Sequence, residues 1–267
     1  YSILINQTIY INRGNFTTVM ATTFPSFAFN NNTIFSAQNE VINISTSDSL
    51  QIKIINNDTI THGFDVQNYA GVNQTILPGD SALVTLYFGS ESIWIYYDPF
   101  NYPDNRYMGL GGMICVSNST QQKYYWNIKE HQTGYSNQIA IGNPVSWNNY
   151  YPDYFTINGK SFPDLQNDST AIPDVNLGDT ILIFVANTGQ SKHSIHFHGF
   201  HATAQYSFDP LKLNWSKDTW PMRSMDCFIL RVVMDKLGQY SVHDHNLVAV
   251  SGGGIHPNGM FLIMRVQ

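Results

Sequence analysis

Residues 179–200 read DTILIFVANTGQSKHSIHFHGF, and residues 48–64 read DSLQIKIINNDTITHGF. Each stretch starts with an aspartate, continues through an apolar strand pattern and an asparagine-containing turn, and reaches a histidine. Asp48 to His62 and Asp179 to His193 span the same 14 positions. Self-similarity of this kind indicates an internal duplication, so each half of the chain should fold in the same way.

Both halves continue with short alternating segments separated by Pro, Gly and Asn turns, and both end in a Gly-Met pair before a last apolar strand. This pattern is typical of antiparallel sandwiches or barrels rather than of βαβ units. We therefore predict an all-β chain of two tandem Greek-key β-barrels. The expected boundaries are 1–122 for the first domain, 123–152 for a crossover and linker, and 153–267 for the second domain.

Composition excludes two classes of function. The 267 residues are 43% hydrophobic, which fills a real core, but only 12% charged, with a net charge of -6. Without a cluster of Lys and Arg the chain has no basic face for a phosphate backbone, so no nucleic-acid partner is expected. No apolar run approaches the roughly 20 residues of a membrane span.

Several features suggest an exported protein. The sequence starts at Tyr1 rather than methionine, which is interpreted as removal of a targeting segment. Cys115 and Cys227 lie in strand-like apolar runs, and the sequence leaves open whether they are buried thiols or a disulfide. Nine Asn-X-Ser/Thr acceptor sequences predict N-glycosylation at Asn6, Asn15, Asn31, Asn43, Asn57, Asn73, Asn118, Asn167 and Asn214.

Histidines form two tight groups, HSIHFHGFH at 193–201 and VHDHN at 242–246. Residues two apart on a strand point to the same face, so each His-X-His presents two imidazoles side by side. Four imidazoles on neighbouring strands suit copper or zinc best, because imidazole is a good ligand for both ions. The predicted ligands are His196, His198, His243 and His245. His62 and His201 stay ambiguous, and His131 is expected to be exposed.

The motif HSIHFHG, followed by HDHN and a Gly-Met pair, resembles the C-terminal copper-binding signature of multicopper oxidases. The run HNLVAVSGGGIHPNGM resembles the second domain of copper nitrite reductases, and HGFDVQ at 62–67 is similar to a segment of their first domain. This resemblance covers nearly the whole chain and implies two cupredoxin-like domains.

The resemblance also implies roles for individual residues. His196, His198, His243 and His245 match ligands of the type 2 and type 3 coppers. His193, His256 and Met260 match ligands of a blue-copper site in the second half, and His62 and Met113 match those in the first half. Asp65 matches the acidic residue that nitrite reductases use for proton transfer.

Two departures from the family pattern change the expected chemistry. Asp98 and Asp244 stand where each half should have its blue-copper cysteine, and a blue site requires a thiolate. Gln67, Tyr97 and Pro99 replace histidines that would complete a trinuclear cluster. One or two copper ions therefore remain on the four imidazoles. Beside them, His193, Asp244 and His256 form either a second ion site or a degenerate one, in which Asp244 orients a neighbouring imidazole.

Three functions compete at this point. The first is a secreted copper oxidoreductase without blue copper, acting on a small substrate and receiving electrons from that substrate or from a donor protein. The second is a catalytically retired, copper-holding or structural protein that assembles into a trimer or larger array. The third is a zinc hydrolase. Trimeric relatives imply that Asp65, Gln67 and Tyr97 of one subunit line the site of the next, where Asp65 would act as a catalytic proton donor or as a carboxylate that orients water.

Overall fold

The computed structural model describes residues 2–267, and β-strands dominate it. The chain divides into two compact units. The first takes in the chain up to Phe16, then Thr23–Ser119 and Gly134–Ser146, and the second takes in Thr17–Thr22, Thr120–Thr133 and Trp147–Gln267. Within residues 2–267, none of the helices combines the length and the apolar character needed to cross a membrane.

The first unit is a sandwich of two sheets with strand orders β2-β1-β4-β7 and β3-β9-β8-β5-β6. Its strands are β1 Leu4–Thr17, β2 Thr23–Asn30, β3 Val41–Ile44, β4 Ser49–Asn56, β5 His62–Val66, β6 Gln74–Ile76, β7 Ser81–Tyr87, β8 Ser92–Tyr97 and β9 Gly111–Val116.

The second unit has sheets with orders β11-β10-β13-β18-β15-β16 and β12-β20-β19-β14-β17. Its strands are β10 Gln122–His131, β11 Tyr154–Ile157, β12 Asp174–Val175, β13 Thr180–Asn187, β14 His193–Phe197, β15 Ala202–Ser207, β16 Ser216–Lys217, β17 Thr219–Met222, β18 Cys227–Val233, β19 Gly238–Asp244 and β20 Phe261–Val266.

The strand orders confirm the predicted duplication. The strands β1-β4-β7 of the first unit correspond to β10-β13-β18 of the second, whose sheet continues with β15 and β16, and β9-β8-β5 corresponds in the same way to β20-β19-β14. The pairings agree as well, since β1 runs parallel to β4 and β10 runs parallel to β13. Each unit is a two-sheet Greek-key sandwich rather than a closed barrel, so the all-β prediction is confirmed in this form.

Alternation of apolar residues explains which strand faces are buried. In β4 every second residue points inward, and Leu50, Ile52 and Ile54 are fully buried. β13, which lies between β10 and β18, is apolar on both faces, and its burial is nearly continuous. Aromatic rings fill the centre of each unit, as where Phe64 stacks on Tyr96 and Trp126 stacks on Phe197.

The residues predicted as a linker are shared between the two units. They contain most of the strand β10 and a helix that the sequence did not predict, α2, which covers Thr133–Ala140. Within residues 2–267 a second α-helix, α1, covers Asp104–Tyr107, and four single turns of 3-10 helix lie at Trp147–Asn149, Asp164–Asn167, Pro210–Lys212 and Leu247–Val250.

The expectation that His131 is exposed was wrong, because it ends β10 and is only 3% exposed. Cys115 and Cys227 are buried thiols.

Candidate metal centre

Strand alternation separates the histidines of the second unit into an outer and an inner set. β14 and β19 are antiparallel neighbours that place His196 opposite His243 and Ile195 opposite Asp244. Because side chains alternate along a strand, His196 and His243 point outward while His193 and Asp244 point into the sandwich.

The outer set brings together all four predicted ligands, which we call the imidazole cluster: His196, His198, His243 and His245. The ring centroid of His196 lies 4.6 Å from that of His198, 5.7 Å from that of His243 and 5.6 Å from that of His245. The rings of His198 and His243 are 5.1 Å apart. His198 and His245 are exposed, so the cluster is open to solvent.

Hydrogen bonds fix two of these rings. Nδ1 of His243 lies 2.8 Å from the carbonyl oxygen of Asp244, and Nδ1 of His196 lies 2.8 Å from Oγ1 of Thr219. A carbonyl oxygen only accepts, so His243 donates through Nδ1, and in the neutral ring its Nε2 carries the lone pair. Nε2 of His198 lies 2.9 Å from this atom, close enough to donate to it when no ion is bound.

The imidazole cluster contains donors that suit a metal ion, but their side chains do not form a complete coordination sphere. Partial burial and the neighbouring His196 and His243 lower the pKa of His198, which keeps its ring neutral and able to bind an ion. Among residues 2–267, however, no three His, Cys, Asp or Glu side chains are arranged as a complete metal site. The structure therefore shows converging donors rather than a finished coordination sphere.

His193, in the inner set, is held between two carboxylates, an arrangement that we call the inner clamp: Glu130, His193 and Asp244. Nδ1 of His193 lies 2.6 Å from Asp244 Oδ2, and Nε2 lies 2.9 Å from Glu130 Oε2. Burial alone would lower the pKa of His193, but its hydrogen bonds to the two carboxylates outweigh this and raise the pKa to about 9. Burial raises the pKa of Glu130, yet the bond to His193 brings it down to about 2.

The first unit contains an equivalent clamp, which we call the first-unit clamp: Asp58, His62 and Asp98. Nδ1 of His62 lies 2.7 Å from Asp98 Oδ2, and Nε2 lies 2.9 Å from Asp58 Oδ2. Burial lowers the pKa of His62, and the bonds to Asp58 and Asp98 more than offset this and raise it. Asp58 also accepts two hydrogen bonds from Arg13, at 2.8 and 3.0 Å.

These clamps bear on the residues expected to bind blue copper. Both ring nitrogens of His62 and of His193 face carboxylates. The contact between Asp244 and His193 corresponds to the predicted alternative of a degenerate site, in which Asp244 orients a neighbouring imidazole. His256 is exposed, whereas Met260 is fully buried in the hydrophobic core of its unit. The structure thus joins His193 to Asp244 but leaves His256 at the surface.

In the first unit the face corresponding to the imidazole cluster carries Asp65, Gln67 and Tyr97. Asp65 pairs with Tyr97 across β5 and β8. Burial raises the pKa of Asp65, although bonds from Val66 and Tyr97 partly offset it. Oε1 of Gln67 is buried and has no hydrogen-bond partner among residues 2–267.

The sequence did not point to Glu130 or Asp58, which close the two clamps. A usable signal existed at Glu130, because it is an acidic residue inside the otherwise buried strand β10. Buried carboxylates need partners, so this residue predicted a cation or donors nearby but did not identify His193, 63 positions away.

Comparison with known proteins agrees with this arrangement. Residues 136–262 match the family model of the multicopper oxidases, and this range contains the imidazole cluster and most of the second unit. A search of curated proteins found no significant sequence match.

Solved structures with a similar fold include a blue copper oxidase from Nitrosomonas europaea, with a TM-score of 0.81 and 20% identity over 100% of this chain and 86% of that one. The multicopper oxidase mgLAC has a TM-score of 0.81 at 19% identity, covering 100% of this chain and 87% of its own. A copper nitrite reductase from Nitrosomonas europaea has a TM-score of 0.78 at 15% identity, covering 99% and 94%. The predicted resemblance is confirmed, and the fold is cupredoxin-like in both units.

Proposed function

We propose that this chain is a secreted copper-binding protein of the multicopper oxidase type, which holds one or two copper ions on the imidazole cluster and has no blue copper. The observation that carries this proposal is the meeting of two His-X-His pairs on one outward face of β14 and β19. Histidine is the commonest metal ligand, and four imidazole rings in one surface patch therefore support metal binding.

The donor set fits copper. Nε2 of His198 and Nε2 of His243 lie 2.9 Å apart, so these two imidazoles would be able to hold one ion between them. Imidazole also suits zinc, which is the less favoured ion for a fold of this type.

The blue-copper position is closed in both units. Asp98 and Asp244 supply carboxylates where a thiolate is required, and each is hydrogen-bonded to the histidine that would be its fellow ligand. A bound ion would supply one-electron redox chemistry at the surface cluster, and electrons would arrive from a small substrate or a donor protein. Thr219 and the carbonyl of Asp244 orient two of the rings that hold it.

Metal analysis of the purified protein tests the proposal directly. We expect copper to be retained, a type 2 electron paramagnetic resonance signal, and no intense absorption at about 600 nm. The double variant His196→Ala/His243→Ala should weaken copper binding by more than about 100-fold, since losing ligands costs more than losing their outer partners. His201→Ala removes an exposed histidine outside the cluster and is the matched control. Zinc in place of copper, or equal binding by both variants, would contradict the proposal.

A second candidate function is a retired, copper-holding or structural protein. The specific observation in its favour is that His62 and His193, which match blue-copper ligands of the family, are each hydrogen-bonded to an aspartate. Turnover assays of the copper-loaded protein with nitrite, hydroxylamine or dioxygen and an artificial electron donor separate the two. Consumption that the cluster variant abolishes supports the oxidoreductase, and its absence supports the retired protein.

The structure offers support for the proposed secretion and N-glycosylation. All nine acceptor asparagines are exposed, whereas eight of the other 18 asparagines are buried. An oligosaccharide requires an accessible side chain, so this contrast is what genuine acceptor sites would produce. Mass spectrometry before and after enzymatic deglycosylation of natively produced protein checks it, and an unchanged mass would count against glycosylation.

We also propose a homotrimer in which Asp65, Gln67 and Tyr97 of one subunit face the imidazole cluster of the next. The partnerless buried oxygen of Gln67 and the raised pKa of Asp65 support a role for this face in binding or proton transfer. Light scattering coupled to size exclusion gives the mass in solution. A monomer with full copper content would rule out this arrangement.

A further inference from the structure

We infer that Asp244, anchored through His193 to Glu130, is a positioning residue of the imidazole cluster: the inner clamp fixes the strand end that carries His243 and His245 and supplies negative charge beneath them. This inference rests on the proposed metal site. In the position that matches a blue-copper site of the family, the ring of His193 rather than an ion then holds the neighbouring ligands in place.

Asp244 fixes the backbone on both of its sides. Its Oδ1 accepts hydrogen bonds from the backbone N–H of Ser194, at 3.3 Å, and of Asn246, at 2.8 Å. The N–H of His245 donates to the carbonyl oxygen of Ser194 at 2.7 Å, and the carbonyl of Asp244 itself receives Nδ1 of His243. The two imidazoles therefore depend on one buried carboxylate lying between them in the chain.

Glu130 makes this carboxylate immobile from the opposite sheet. Glu130 lies on β10, whereas His193 and Asp244 lie on β14 and β19 of the other sheet of the unit. Its Oε1 accepts from the N–H groups of Gln190 and Ser191, both at 2.7 Å, while Oε2 meets His193. The clamp thus ties both sheets together directly beneath the outer face that carries the cluster.

The charge of the clamp also favours a cation at the cluster. Two carboxylates and one imidazole ring leave at least one net negative charge when both carboxylates are ionised. In the first-unit clamp, Arg13 cancels this charge by pairing with Asp58. No described Lys or Arg forms an ion pair with Glu130 or Asp244. The unit that carries the imidazoles is therefore the one whose clamp stays negative.

The test compares Asp244→Asn with Asp98→Asn. The control is closely matched, since Asp98 also receives a histidine Nδ1 on Oδ2 and two backbone N–H groups, from Gly63 and Phe100, on Oδ1. Loss of an outer partner of a metal ligand costs about 10–100-fold in affinity, so Asp244→Asn should weaken copper binding by that factor and change the copper hyperfine splitting. Asp98→Asn should leave both unchanged while lowering thermal stability similarly. Equal affinity and identical spectra for wild type and Asp244→Asn would overturn the inference.

A metal-free measurement keeps the inference separate from the proposed function. Hydrogen exchange of the amides of His245 and Asn246 should accelerate in Asp244→Asn and in Glu130→Gln, but not in Asp98→Asn. Should wild type bind no copper, the proposed function fails, and this exchange pattern still decides whether the clamp positions the strand end. Unchanged exchange in both second-unit variants would overturn the inference whatever the metal result.

Discussion

The two units carry the same clamp beneath two different outer faces. His62 corresponds to His193 and Asp98 to Asp244, and each pair makes the same Nδ1 to Oδ2 contact. On the outer face, Asp65, Gln67 and Tyr97 stand where the second unit has His196, His198 and His243. The two units thus share the buried histidine–aspartate pair but differ in the side chains on the outer face.

The second carboxylate of each clamp comes from a different place in the chain. The registers align Ile11 with Asn56 in one unit and Ile128 with Asn187 in the other, so Arg13 corresponds to Glu130 and Asp58 to Gly189. The second carboxylate therefore lies in the turn after β4 in the first unit and on β10, the parallel neighbour of β13, in the second. Both positions bring a carboxylate oxygen to 2.9 Å from Nε2 of the buried histidine.

The largest effect on stability is expected at Gly189, where Glu130 of the second unit leaves no space for a side chain. A Cβ on Gly189 would lie 1.9 Å from Oε2 of Glu130, so Gly189→Ala displaces Glu130 from His193. Breaking a buried ion pair costs about 3–5 kcal/mol, and chemical denaturation should show a loss of that size. Gly134→Ala is the control, because a Cβ there meets nothing within 4 Å and helix α2 should gain up to about 1 kcal/mol. Equal stabilities for the two variants would show that Glu130 is not confined.

A smaller effect should follow from converting one clamp into the other. Arg13→Glu alone places a second carboxylate beside Asp58 and should cost about 2 kcal/mol, since Arg13 is one-third exposed and solvent screens part of the charge. Arg13→Glu/Asp58→Gly recreates the arrangement of the second unit and should recover at least half of this loss. A double-mutant cycle by urea denaturation measures the coupling. If the stability losses of the two single substitutions simply add, positions 13 and 58 are not interchangeable as sources of the second carboxylate.

The smallest effect concerns pH. The pKa of His62 is raised above its ordinary 6.5, so its contribution to stability is complete below pH 6.5 and is lost as pH rises through the folded-state value. The pKa of Asp58 is lowered, because hydrogen bonds from His62 and Arg13 outweigh burial, so its contribution is complete above pH 3.8 and lost on acidification. Wild type should therefore exceed His62→Gln in Tm most between about pH 4 and 6.5, and the difference should shrink by about 2–4 °C in alkali. A difference that stays constant up to pH 10 would argue against a protonated His62, and His201→Gln should show no such trend.

Local patterns in the sequence foretold much of the fold and of the cluster. Alternation and turn residues gave the all-β class, the equal Asp-to-His spacing gave the duplication, and each His-X-His put two rings on one face. Helix α2 escaped prediction because its polar sequence, Thr133–Ala140, has only one buried residue and so no strong apolar period. His131 was misjudged because its burial depends on neighbours that are distant in sequence.

The sequence by itself determined which residues alternate along each strand, because that period is a property of the backbone. It also determined that Asp98 and Asp244 stand where the family pattern has a cysteine. Only the tertiary structure decided that Glu130 meets His193 across 63 positions and that Asp58 takes the same role in the first unit. Those contacts join opposite sheets, and the pairing of sheets is fixed by packing of the whole sandwich rather than by any local run of residues.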